Sequence, residues 1–118
     1  MTIMDKERHL ILEKMLNLLG SKWVLLIMYS LCTEPHGFNK LLRSITGISP
    51  RILSLRLKEM AAAGLISKTI LPTNPPQVEY RLTDKGMSLK TIILSIAEWA
   101  ENGTPSKTKI LKKIKADA

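Results

Sequence analysis

Residues 47–65 read GISPRILSLRLKEMAAAGL, and this stretch carries helix signals at both ends. Ser49 supplies a side-chain acceptor for the unpaired N–H groups of a first turn, Pro50 suits the first helical position, and Gly64 supplies a left-handed stop. The expected helix covers 49–63. Wound at about 100° per residue, it gathers Leu53, Leu57 and Met60 on one side and Arg51, Ser54 and Lys58 on another, with Leu55 at the border of the polar stripe. Taken alone, this is the pattern of an ordinary amphipathic surface helix. Its neighbours decide what the polar stripe is for.

Just upstream, Phe38, Leu41, Leu42 and Ile45 mark one side of a short helix over 38–45, with Asn39, Lys40 and Arg43 on the outside. Thr46-Gly47-Ile48 is a tight link in which Gly47 can take the positive φ of a sharp change of direction. Helix, three-residue turn containing Gly, helix is the spacing of a helix-turn-helix. Downstream, 65–71 (LISKTIL) loses helical periodicity and is rich in β-branched residues, while 78–82 (VEYRL) alternates apolar and polar. The three prolines of PTNPPQ between them forbid helix and stiffen a loop. Two strands joined by such a loop behind a helix-turn-helix make a wing.

Towards the ends the chain is again helical. Residues 5–19 place Leu10, Ile11, Leu12, Met15, Leu16, Leu18 and Leu19 around too much of the circumference for one narrow stripe, so this helix has two surfaces to bury. Gly20-Ser21 breaks it. Residues 22–31 are hydrophobic nearly all round and belong at the centre of the domain, with Trp23 in the core. Thr83-Asp84 caps a last helix to about Glu101, on which Leu89, Ile92, Ile93, Ile96 and Trp99 recur at three- and four-residue steps before Asn102-Gly103 ends it. This stripe is expected to pair two subunits together with Leu12, Met15 and Leu16 of the first helix. The expected fold class is α+β, mostly α: a winged helix-turn-helix with a two-stranded wing and long N- and C-terminal helices forming a dimer interface. One domain covers 1–103, and 104–118 is a basic tail, either a short helix or disordered.

Composition narrows the partner. In 118 residues, 18 Lys and Arg face 10 Asp and Glu, a net charge of +8 that calls for a polyanion, either nucleic acid or an acidic membrane surface. Counted by segment, 1–35 carry four of each sign, 36–83 carry seven basic against two acidic, and 103–118 carry five against one. The longest apolar run, Trp23 to Tyr29, falls far short of the roughly 20 residues that span a bilayer. The single cysteine, Cys32, excludes a disulfide framework and a multi-cysteine zinc site, and reads as a small buried hydrophobe. The expectation is a soluble cytoplasmic protein. No glycine-rich phosphate loop or nucleophile elbow occurs, and His9 and His36 stand apart from cysteines and paired carboxylates, so no enzyme, cofactor or metal is expected. His36, in the turn before 38–45, reads as a surface residue.

A helix fits the major groove of double-stranded DNA, and exposed side chains near its N-terminal end reach base edges. On that logic Arg51 makes a bidentate contact to guanine, Ser54 meets a base edge or phosphate, Leu55 meets a thymine methyl, and Lys58 meets phosphate; Ser49, at the same end, is a further DNA contact. Asn39, Lys40 and Arg43 would hold the phosphate backbone, which positions the protein without reading sequence. Lys68 and Asn74 would do the same from the wing. Arg56 lies away from the other basic residues and suits an ion pair with Glu59 or another acid at least as well as a DNA contact. A winged helix used for protein or RNA contact, and an architectural DNA binder without sequence preference, remain alternatives.

Over about residues 16–99 the sequence also resembles the HxlR-type family of prokaryotic winged-helix transcription regulators, related in architecture to MarR-type proteins. The resemblance rests on GSKWVLLIMYSL, GFNKLLRSITGISPRILSLRLKEM, GLISKTILPTNPPQVEYRLTDKGMSL and IAEW, in that order. It implies a dimeric DNA-binding repressor or activator of about one domain per subunit. Many members have a cysteine about twelve residues before the Lys-Trp pair, in some a sensor of electrophiles or oxidants; here that position is Leu10, and Cys32 stands elsewhere. Target genes and any small-molecule effector are not legible in the residues.

Overall fold

Thr2 sets the start of the first helix. Its hydroxyl accepts from the Asp5 N–H at 3.2 Å, and Asp5 Oδ2 accepts from the Thr2 N–H at 3.1 Å, a reciprocal capping box. The computed structural model describes residues 2–102. The elements in order are α1 (Ile3–Leu19), α2 (Val24–Leu31), β1 (His36–Gly37), α3 (Phe38–Ser44), α4 (Pro50–Ala62), β2 (Ile66–Leu71), β3 (Gln77–Leu82), α5 (Asp84–Met87) and α6 (Lys90–Asn102). The tail at 104–118 lies outside the described residues. The chain divides into two compact units, one ending at Ser88 and one beginning at Leu89.

In the first unit the core is aliphatic. Val24, Ile27 and Met28 of α2, Leu41 of α3, Leu53 and Met60 of α4, and Leu65 are fully enclosed. Burying such side chains stabilises by roughly 1.5–3 kcal/mol each, so the core fastens α4 through the face opposite its polar stripe. The sheet is antiparallel with strand order β1-β3-β2. Lys68 faces Tyr80 and Ile70 faces Val78 across the β2–β3 hairpin, which is the expected two-stranded wing. β1 adds a third, two-residue strand that pairs His36 with Tyr80 and Gly37 with Glu79.

Three local features depart from expectation. His36 is buried, and its Nδ1 lies 2.8 Å from the Glu34 carbonyl, because β1 draws it into the sheet. Trp23 is half-buried at the N-cap of α2 with a left-handed φ of 86°, and the Lys22 ammonium stands 4.7 Å above its ring. The helix expected from Asp84 to Glu101 is two helices: Gly86 weakens the helix, and Ser88 Oγ donates to the Lys85 carbonyl at 2.6 Å, the acceptor the next turn would use.

The helix-turn-helix punctuation forms as expected. Gly47 has φ 93° and Gly64 φ 77°. Ser49 Oγ accepts from the Ile52 N–H at 3.2 Å, and Pro50 follows at the first helical position. Ser49→Ala should destabilise the protein by about 1 kcal/mol, read as a lower urea midpoint with an unchanged slope; an unchanged midpoint would mean that the cap contributes nothing.

The second unit is described by α6. Its Ile93 is buried, whereas Ile92, Leu94, Ile96 and Trp99 are exposed.

Candidate nucleic-acid interface

Burial of Leu53, Leu57 and Met60 sets the rotation of α4, and the opposite stripe faces outward by necessity. Arg51, Ser54, Leu55 and Lys58 are all exposed on it, Leu55 at 46 %. Ser49 is exposed too, but its hydroxyl is engaged in capping. Arg56 is spent on structure: Nη1 pairs with Glu59 Oε1 at 2.9 Å, and Nε donates to the Lys22 carbonyl at 3.0 Å, tying α4 to the segment before α2.

On α3, Asn39, Lys40 and Arg43 are exposed, and they share the lining of a cavity of about 530 Å³ with Gln77 and Val78 of β3. Lys40 Nζ pairs with Glu34 Oε1 at 2.5 Å. That hydrogen bond, together with the lysine charge, holds the Glu34 carboxyl below its ordinary range. On the wing Lys68 and Asn74 are exposed; Thr73 Oγ1 shapes the loop by donating to the Pro75 carbonyl at 2.8 Å. Arg81 pairs with Glu79 at 2.9 Å.

Two features escaped the sequence reading. Gln77 joins the α3 cations only through the sheet, and Glu34 meets Lys40 across the β1 turn; neither position belongs to a periodic pattern. At the expected dimer faces, Leu12, Leu16, Ile92, Ile96 and Trp99 are exposed and Met15 and Leu89 half-buried. Ile93 is the exception, since a side chain 5 % exposed in the single chain has no surface to offer a partner. Among the described residues no group of three or more His, Cys, Asp or Glu could hold a metal ion, and no helix is long and apolar enough to cross a membrane.

An anchored helix with an outward basic stripe, a preceding helix carrying cations, and a two-stranded hairpin behind them define a winged helix-turn-helix protein. Comparison with known proteins agrees. Residues 18–108 match the family model described as HxlR-like helix-turn-helix. The chain is 36% identical over 88 residues to the uncharacterized HTH-type transcriptional regulator YvaP of Bacillus subtilis, covering 75% of this chain and 82% of the relative. A solved MarR-family regulator from Porphyromonas gingivalis superposes with a TM-score of 0.71 at 37% identity, covering 77% of this chain and 90% of that one. The reduced form of the regulator YodB from B. subtilis gives 0.68 at 34% identity, covering 75% and 87%. The chain belongs to the HxlR-like helix-turn-helix family, and it is a DNA-binding transcription regulator.

Proposed function

We propose that this protein is a homodimeric, sequence-specific repressor that inserts α4 into the major groove of duplex DNA and blocks transcription by occupying its site. The exposed stripe of Arg51, Ser54, Leu55 and Lys58 on a helix whose other face is buried carries this reading. Arg51 is in the first turn of α4, the end that reaches base edges, and its guanidinium can donate two parallel hydrogen bonds to guanine O6 and N7. Leu55 suits a thymine methyl. Ser54 and Lys58 complete the stripe against base edge and phosphate, while Lys68 and Asn74 meet the backbone from the wing. Residues 1–103 act as one DNA-binding and dimerisation module, working in the cytoplasm without a catalytic role.

Two subunits related by a two-fold axis present two α4 helices to successive major grooves, on near-palindromic half-sites about 34–36 Å apart. The exposed apolar residues of α1 and α6 supply the paired surface. The direct test is fluorescence anisotropy against the duplex upstream of the protein's own gene and a scrambled duplex of equal length, at two salt concentrations. Excess affinity for the native duplex that persists at higher salt supports sequence-specific control. Equal, steeply salt-dependent binding to both would favour an architectural role.

Arg51→Ala should cost about 1–3 kcal/mol on the specific duplex and relax base preference. Lys58→Ala should instead weaken both duplexes alike and flatten the salt dependence. Unchanged preference in the Arg51 variant would remove Arg51 from the reading set.

A further inference from the structure

The cavity between α3 and the start of β3 has a lining suited to an anion. It presents two cations, Lys40 and Arg43, and two side-chain amides, Asn39 and Gln77, with no carboxylate among the lining residues. The sheet brings these groups together: Gly37 pairs with Glu79, and a side chain added at Gly37 would come within 3.4 Å of the Val78 carbonyl. This close run of β1 beside β3 sets the first turn of α3 against Gln77. Glu34 stands beside the lining, and its carboxylate takes the Lys40 ammonium.

We infer that this cavity seats a phosphate of the DNA backbone and that Glu34 acts as an internal stand-in for it, holding Lys40 until the phosphate takes its place. The inference rests on the DNA-binding reading above. A carboxylate and a phosphodiester offer an ammonium group the same thing, an anionic oxygen at hydrogen-bond distance. The Lys40 and Glu34 side chains are 52% and 59% exposed, so the pair is weakly held and exchangeable. When phosphate displaces it, Asn39, Arg43 and Gln77 supply the remaining donors. Glu34 is left unpaired beside DNA and takes up a cation from solution. That uptake cancels one of the counterions released from the duplex, so Lys40 adds little to the salt dependence while Glu34 is present. Glu34 thus lowers affinity for all sequences alike and leaves discrimination to α4.

The test is a double-mutant cycle read by anisotropy on the native and scrambled duplexes over a salt series, with circular dichroism to check folding. Glu34→Gln should tighten binding about two- to five-fold on both duplexes at low salt, and should steepen the slope of log affinity against log salt by about 0.9. In a Lys40→Met background the same change should give less than half of that gain. Gln77→Ala should weaken both duplexes equally. A gain from Glu34→Gln that is the same with and without Lys40 would make it a general charge effect and overturn the proposal, as would no gain in a wild type that binds DNA. Failure of the wild type to bind any duplex would instead bring down the DNA-binding reading together with this one.

Discussion

On the proposed homodimer, Leu12→Glu and Ile96→Glu should each give a folded monomer and weaken binding to a two-half-site duplex by about 10²- to 10⁴-fold, the gain that linking two binding modules provides. None of the 17 residues of α1 is buried, although Leu10, Ile11, Leu12 and Leu16 lie on it. Most helical stability in proteins comes from tertiary packing of an apolar face, and the exposed apolar side chains of α1 offer such a face to a partner. On α6, Ile92, Ile96 and Trp99 are exposed, Trp99 at 64 %. Leu12 and Ile96 are 55 % and 46 % exposed, so a glutamate at either place costs the protomer little and places an unpaired charge in a desolvated interface. Sedimentation velocity at micromolar concentration and anisotropy on full and half-site duplexes read the two effects separately. Variants that stay dimeric with full affinity would put the subunit contact on another surface.

Gly86→Ala should destabilise the first unit by about 3 kcal/mol or more, at the upper end of overpacking effects. A Cβ at Gly86 would stand 2.1 Å from the Leu65 carbonyl oxygen and 3.1 Å from its carbon, and backbone cannot yield as a flexible side chain can. The surroundings are fixed from several directions. The Thr83 hydroxyl donates to the Gly64 carbonyl at 2.5 Å and accepts from the Gly86 N–H at 3.1 Å. The Thr83 N–H donates to the same Leu65 carbonyl at 3.1 Å, and Lys85 Nζ reaches the Ala63 carbonyl at 3.2 Å. Together Thr83, Lys85 and Gly86 close the C-terminal end of α4 and the start of β2 against the junction of β3 and α5. A methyl group there separates the wing from the helix it supports, so DNA affinity should fall along with the urea midpoint. An unchanged midpoint would show that the approach of α5 to Leu65 relaxes without cost.

How much of this was legible in the residues follows from the range of the forces involved. Ser49, Pro50 and Gly64 mark α4 because caps and stops act within one turn. The alternation of VEYRL and the prolines before it mark the wing for the same reason. Burial of Leu53, Leu57 and Met60 follows from period alone, and so does the outward aim of Arg51, Ser54 and Lys58. The pairing of Arg56 with Glu59 was legible because three residues on a helix bring the two side chains together.

The remaining features needed contacts between distant parts of the chain. β1 is two residues long, too short to have a period, and exists only because β3 comes to lie beside it. His36 is buried through that pairing, and Gln77 joins Asn39, Lys40 and Arg43 through it as well. The break between α5 and α6 comes from a serine side chain competing for a carbonyl, which apolar spacing does not report. Sequence by itself determined the winged helix-turn-helix and the face it turns outward, since both rest on local periodicity and caps. Only the tertiary structure decided that Lys40 is already paired with Glu34, that Ile93 is enclosed, and that Gln77 stands beside the α3 cations, because those depend on residues that meet only after the chain has folded.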